Sequence, residues 1–294
     1  MKSSLPVQAG TSERHSHRWG VILAGGDGTR LLPLTRAING DDRPKQFSVI
    51  LGDETLLQRT QRRISPLFRG WQTLFALTRT HERFYARQVA DLPITSLVVQ
   101  PGNRGTAPAI LYSLMRVREM DPRGLVAFIP SDHHFSNEKA FNAHLEIALE
   151  ASESWPNLVF LLGVAPEYPE VEYGWIEAGT PLARSLPDSI LRISRFWEKP
   201  SQDLAFKLMQ DGCLWNSFVM TGHVETFLRM ISRALPQLFL AFESIRSKLF
   251  SADEEMAFDK LYSGLPAISF AQAVLRPLAT SLAVVRGAGL GWAI

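Results

Sequence analysis

Along residues 19–162, short continuous apolar runs alternate with longer stretches in which apolar residues return every three or four positions. The runs 19–24, 73–77, 96–99, 125–129 and 158–162 predict strands. The stretches 56–68, 82–89, 107–120 and 138–154 predict helices. Within the first of these, Leu57, Thr60, Ile64 and Leu67 share a face, and Arg59, Arg62 and Arg63 form a basic face that reads as solvated. Ile110, Leu111, Leu114 and Val117 recur at helical spacing in the third. Strands alternating with helices of this length imply βαβ units and a mostly parallel sheet. Strands that are apolar at every position imply helices on both faces of that sheet. Beyond Gly163 the pattern changes. Residues 173–178 and 190–198 read as longer, mixed strands flanking a loop bounded by Pro and Gly, an antiparallel extension of the kind that covers an active site. From residue 201 the pattern is largely helical, at 203–210, 225–234, 238–250 and 254–262, with a last apolar run at 282–285. No repeat or linker interrupts residues 19–294, which predicts one domain with an insert.

Composition narrows the function classes. The chain has 294 residues and a formal charge of +2, from 31 Lys and Arg against 29 Asp and Glu, too balanced to make nucleic acid the default partner. Its one cysteine, Cys213, excludes an internal disulfide framework and suits a reducing, cytoplasmic setting. No apolar run approaches the ~20 residues of a membrane span. Residues 1–18 are polar, lack the apolar core of a secretory signal and predict a disordered tail. His15 and His17 within it read as solvated.

The chemistry concentrates where predicted strands end, which is where open parallel sheets bind ligands. The first strand runs into Leu23-Ala24-Gly25-Gly26-Asp27-Gly28-Thr29-Arg30. Three glycines allow close backbone approach to a phosphate or base, and their N–H groups form an anion-binding concavity. Arg30 adds a planar fork suited to phosphate oxygens. The loop is neither a Walker A loop, because Gly28 is followed by Thr29 and Arg30, nor a dinucleotide fingerprint, because Leu31 stands where a small residue is required. A second stretch, Arg43-Pro44-Lys45-Gln46-Phe47, offers Lys45 as a point charge on a Pro-stiffened turn.

These two stretches together resemble the signature of the sugar-1-phosphate nucleotidyltransferases, and Gln46 after Lys45 resembles the mannose-1-phosphate guanylyltransferase branch. The resemblance continues in order through QPGNRGTAPAI (100–110), FIPSDHHF (128–135), YPEVEYGWIE (168–177), FWEKP (196–200) and LWNSFV (214–219), covering about residues 19–220. It implies an α/β fold with a Rossmann-like, mostly parallel sheet, a small antiparallel sugar-side insert and a helical C-terminal part. It implies transfer of GMP from GTP to mannose 1-phosphate, giving GDP-mannose and pyrophosphate. Arg30 and Lys45 would offset phosphate charge. Leu23, Ala24, Gly25, Gly26, Gly28, Thr29, Gln100, Asn103, Arg104 and Thr106 would surround the nucleotide, with Gln100 or backbone beside it reading guanine. Gly174, Glu198 and Asn216 would contact sugar hydroxyls, Lys199 would grip the sugar phosphate, and Asp132 would hold Mg²⁺. His133 and His134 read as structural, and Trp215 as packing beside the sugar. The implied partners are small molecules, with no nucleic acid and no membrane, and a homodimer stays open.

The chain departs from the family pattern at two places. Phe218 stands where a Gly is usual. GLGWAI (289–294) resembles the start of a W-x-D-x-G motif whose Asp is a second metal carboxylate, and Ile294 occupies that position. The expectation is a weakened metal site and a domain truncated at its C-terminal end. Two other readings therefore stay open: a nucleotide or nucleotide-sugar binding protein with impaired catalysis, and the same transfer on another hexose 1-phosphate.

Overall fold

The computed structural model describes residues 15–50, 52–183 and 190–294, the side chain of residue 15 excepted. In chain order it contains β1 (Arg18–Leu23), α1 (Leu32–Asn39), α2 (Leu56–Ile64), β2 (Thr73–Thr78), α3 (Glu82–Tyr85) and β3 (Leu97–Gln100). There follow α4 (Thr106–Met120), β4 (Leu125–Pro130), β5 (His134–Phe135), α5 (Glu138–Ser154) and β6 (Val159–Val164). The second half holds β7 (Gly174–Pro181), β8 (Ile190–Glu198), α6 (Gln202–Gln210), β9 (Leu214–His223), α7 (Val224–Ala234), α8 (Pro236–Glu243), α9 (Glu254–Ser263), β10 (Leu282–Gly287) and β11 (Trp292–Ala293).

Nine strands form one sheet in the order β3-β2-β1-β4-β9-β6-β10-β8-β7. Only β9 and β8 run against the other seven. Every residue of β2, β4 and β6 is buried, because successive side chains feed two different cores. Val21, Ala76 and Phe128 join one core with Ile110 and Leu114 of α4 and Phe227 of α7. Ile22, Leu77 and Ile129 join the other with Leu57 of α2 and Leu145 of α5. This is the doubly covered, mostly parallel sheet that the apolar pattern implies.

Local chemistry sets the element ends. A reciprocal capping box opens α2: the Thr55 hydroxyl accepts from Gln58 N, and the Gln58 side chain accepts from Thr55 N at 2.9 Å. Helix α3 spans only Glu82–Tyr85, shorter than the expected 82–89. Pro236 starts α8 as a helix separate from α7, and a 3₁₀ turn at Arg246–Lys248 ends the expected helix 238–250 early.

Three expectations are corrected. First, β9 lies where no strand is expected, at the centre of the sheet. Second, Arg63 is not solvated: it is 2 % exposed, sits over the rings of Phe135 and Phe141 at 4.9 and 5.5 Å, and donates to His133 O. Burial lowers its guanidinium pKa to about 10. Arg62 does face solvent, between Glu54 and Glu138. Third, the chain is folded before residue 19. His15–His17 form a 3₁₀ turn, β1 begins at Arg18, and His17 Nδ1 lies 2.9 Å from Asp121 Oδ2. Residues 1–14 of the expected tail, and 184–189 of the loop between β7 and β8, lie outside the described residues. Among the described residues no helix is long and apolar enough to cross a membrane.

Candidate active site

Parallel strands deliver their carboxyl ends to one edge of the sheet. Leu23 ends β1, Thr78 ends β2, Gln100 ends β3 and Pro130 ends β4. Strand β9 runs the opposite way, so its first residues reach the same edge, with Trp215 opposite Val164 and Asn216 opposite Gly163. The loops after these ends enclose an open cavity of about 330 Å³. Its walls include Leu23, Gly25, Gly26, Gly28, Gln100, Asn103, Thr106 and Asp132 from the expected site, together with Gln46, His133 and Phe218.

The glycine loop is held from below. Gln46 Nε2 donates to Ala24 O at 3.0 Å and to Gly26 O at 2.7 Å, so its carboxamide fixes two loop carbonyls. A Cβ on Gly25 would meet Gln100 Nε2 and Thr78 Oγ1 at 2.9 Å and force those side chains to shift. Gly28 takes φ +60°, the left-handed region that favours glycine. Asp27 ties the loop to the next one: Asn103 Nδ2 donates to Asp27 Oδ2 at 2.8 Å, and His81 Nε2 lies 3.2 Å from Asp27 Oδ1. Burial lowers the His81 pKa, against the pull of Asp27.

Several expected nucleotide contacts serve this scaffold. The Gln100 Oε1 accepts from Tyr262 Oη at 3.1 Å and its Nε2 approaches Leu77 O, so the Gln100 side chain packs under Gly25. Arg104 turns its Nε to Tyr262 O at 3.2 Å, outside the cavity wall. The Thr106 hydroxyl accepts from Phe270 N at 2.8 Å and stays on the wall. Ala24 is buried beneath the loop, and Thr29 is exposed off the wall.

Behind the cavity wall Lys45, 6 % exposed, pairs with the wall residue Asp132 at 3.0 Å. Burial opposes the charged form of Asp132, and two groups outweigh it: His133, whose imidazole is cationic in the acidic range where the carboxyl titrates, and Lys45, which together hold the carboxyl below its ordinary range. Burial drives His133 down to about 4, so it is neutral near pH 7. Its Nδ1 accepts from Trp292 Nε1 at 3.2 Å, and β11 pairs with β5 to place that indole. Among the described residues no three His, Cys, Asp or Glu side chains gather into a metal cage. A single carboxylate suits Mg²⁺ arriving on phosphate oxygens, which needs one or two carboxylates.

The sugar-side residues converge separately. Gly174 pairs with Glu198 in register, and a Cβ on Gly174 would meet Glu198 Oε2 at 3.0 Å and Asn216 Cβ at 3.3 Å. The absence of a Cβ at Gly174 lets the Glu198 carboxylate, the Phe196 ring and Asn216 pack close to its backbone. Burial pushes Glu198 above the ordinary carboxylate range, and the Lys199 charge offsets this only in part. Asn216 Oδ1 accepts from Phe218 N at 3.1 Å, which fixes its amide orientation. Trp215 packs at the centre of an aromatic group with Tyr168, Tyr173, Trp175 and Trp292. Arg30 and Lys199, both largely exposed, are directed at the same carboxylate, Glu172. Sequence reasoning missed Asp27, His81, Glu172 and Tyr262. They act through contacts made by folding, and nothing local in the chain marks them.

The comparisons agree with this geometry. The family model described as nucleotidyl transferase matches residues 19–252. The alginate biosynthesis protein AlgA of Pseudomonas syringae is 30% identical over 223 residues, 74% of this chain and 44% of AlgA. The mannose-1-phosphate guanylyltransferase of Escherichia coli is 29% identical over 278 residues, 92% of this chain and 58% of that protein. The chain thus spans about half the length of these curated relatives. The crystal structure of mannose-1-phosphate geranyltransferase from Thermus thermophilus superposes with a TM-score of 0.80 at 30% identity, covering 94% of this chain and 76% of that one. A glycine loop, a Lys–carboxylate pair and a Gly174–Glu198–Asn216 cluster, within a span that the family model matches, lead to one conclusion: the chain belongs to the nucleotidyl transferase family.

Proposed function

We propose that the cleft joins GTP to mannose 1-phosphate, releasing pyrophosphate and forming GDP-mannose. The observation that carries this reading is the placement of two half-sites on one edge. The glycine loop, pinned by Gln46, lies beside the Lys45–Asp132 pair, and Arg30 after the loop shares Glu172 with Lys199, the neighbour of Glu198 in the Gly174–Glu198–Asn216 cluster. The guanylyltransferase name of the Escherichia coli relative supports the choice of GTP and mannose 1-phosphate.

The chemistry needs no protein nucleophile. A sugar-phosphate oxygen attacks the α-phosphorus in line, and the bond to pyrophosphate breaks as the new P–O bond forms. Positioning and charge neutralisation provide the acceleration. The N–H groups at Gly25, Gly26 and Gly28 cradle the nucleotide. Lys45 and Arg30 offset charge on the triphosphate and on departing pyrophosphate. Glu198 and Asn216 hold sugar hydroxyls, and Lys199 binds the sugar phosphate. When bound, Mg²⁺ at Asp132 would neutralise phosphate charge. Mixing the protein with GTP, Mg²⁺ and mannose 1-phosphate tests the reading through pyrophosphate release. The expected result is release that Lys45→Ala lowers at least ~100-fold, equivalent to ~3 kcal/mol of transition-state stabilisation. Release no faster than that of the variant sinks the proposal.

One observation favours a second reading, binding without turnover: Asp132 already has Lys45 on one oxygen, and no further carboxylate completes a metal cage among the described residues. Calorimetry with GTP and GDP-mannose separates the two readings, since binding without pyrophosphate release supports the second.

A further inference from the structure

Arg30 and Lys199 come from opposite sides of the cleft. Arg30 lies on the 3₁₀ turn Thr29–Leu31 that follows the glycine loop. Lys199 follows β8, and its φ of 47° turns the chain away from the strand direction. Glu198, immediately before it, points toward Gly174, whereas Lys199 turns to Glu172. There a single oxygen, Glu172 Oε2, lies 3.0 Å from Lys199 Nζ and 3.1 Å from Arg30 Nη1. Glu172 is itself set by its backbone, whose N–H donates to Glu170 Oε1 at 2.9 Å. One carboxylate oxygen thus accepts a hydrogen bond from Lys199 and forms an ion pair with Arg30, in the way one phosphate oxygen bridges two cations.

We propose that Glu172 is a resident stand-in for phosphate: it holds Arg30 and Lys199 together, and the phosphate of an incoming sugar phosphate displaces it from both. The proposal rests on the proposed function only in taking Arg30 and Lys199 as phosphate ligands. Lys199, by hydrogen bond and charge, and then Arg30 hold the Glu172 carboxyl below its ordinary range, so it is a full anion near pH 7. A phosphate dianion brings more charge and more acceptor oxygens than a carboxylate and wins the exchange. A monoanion brings no such advantage. Glu172 is therefore a specificity-determining residue that keeps weak anions off both cations at a cost in affinity for the substrate. The three side chains are substantially exposed, at 43% for Glu172, 68% for Arg30 and 52% for Lys199. Solvent screening keeps the expected effect modest.

The test is calorimetric binding of mannose 1-phosphate, and separately of inorganic phosphate, to the wild-type chain, Glu172→Gln and Glu167→Gln at low and high salt. Glu167 is an exposed carboxylate of the same loop that pairs with neither cation, so its variant reports charge removal alone. Glu172→Gln is expected to tighten both ligands roughly threefold at low salt, less at high salt, with Glu167→Gln unchanged. In turnover, KM for the sugar phosphate falls by the same factor and kcat does not rise. Unchanged or weaker binding by Glu172→Gln, with the wild type binding mannose 1-phosphate, overturns the stand-in role and leaves the proposed function intact. Equal tightening by Glu167→Gln overturns it as well, because the effect is then bulk charge. Failure of all three proteins to bind mannose 1-phosphate overturns the proposed function and this inference with it.

Discussion

Phe218 carries a conflict within one residue. Its φ of 58° lies in the left-handed region, where a non-glycine residue costs about 1–2 kcal/mol. The cause is a bulge. The β6–β9 pairing steps from Leu161 opposite Met220 to Gly163 opposite Asn216, so β9 fits extra residues into that interval. The ring is retained on the cavity wall, and its N–H orients Asn216. Replacing the ring in two ways separates strain from packing. Phe218→Ala loses the packing and keeps the strain, whereas Phe218→Gly loses both. The usual order, in which Ala exceeds Gly within a strand, is therefore expected to reverse. Urea denaturation should show the Gly variant more stable than the Ala variant by about 1 kcal/mol. An Ala variant at least as stable as the Gly variant would show that no strain is stored there.

At the scale of elements, what was legible depended on whether local sequence states its own reason. The glycine loop declares itself because close approach and positive φ demand glycine at particular positions. Strands β1, β2, β4 and β6 declare themselves because both faces are buried in apolar cores. Strand β9 does not, because Asn216, Ser217 and Thr221 interrupt its apolar pattern. Only the fold supplies their partners: Ser217 donates to Leu162 O at 2.6 Å and Thr221 to Ala148 O at 3.0 Å. The support of the loop before α4 is hidden for the same reason. Ile268 N donates to Arg104 O at 2.9 Å and Ala107 N to Ile268 O at 3.0 Å, so a segment over 160 residues away docks on the start of α4. Gly105 must be glycine because a Cβ would come within 2.4 Å of Ile268 O. Ile268→Pro removes the first of these bonds without touching the cavity wall. Nucleotide affinity is expected to fall roughly tenfold, corresponding to ~1.4 kcal/mol. Gly105→Ala should repeat the loss from the other side of the contact. The measurement is GTP binding well below each variant's melting temperature, and wild-type affinity in both would dissociate the segment from the loop's geometry.

Over the whole molecule, the Gly174–Glu198–Asn216 cluster sets its proposed activity against stability. Glu198 is partly buried, and the adjacent Lys199 is engaged by Glu172. Burial therefore leaves the Glu198 carboxyl above its ordinary value. A carboxyl with a raised native pKa binds its proton more tightly when folded than when unfolded. Folding is consequently favoured at pH values where Glu198 is protonated. Stability declines as pH rises from the unfolded pKa through the raised native one, and the penalty is constant above that. Glu198→Gln removes the titration and keeps the shape. The variant should melt higher than the wild type at pH 7.5, with the difference shrinking toward zero near pH 4, while pyrophosphate release falls because a charged acceptor for sugar hydroxyls is lost. Thermal melts of both proteins across pH 4–8 decide it. A variant less stable than the wild type at pH 7.5, or a difference independent of pH, would mean that the Glu198 carboxylate is well solvated and that its position carries no strain of burial. If the difference follows the expected sign, Glu198 is a residue the fold would shed on stability grounds. Its retention beside Gly174 and Asn216 then reflects the pocket's chemistry, the trade expected when a site needs a charged acceptor in a partly dry place.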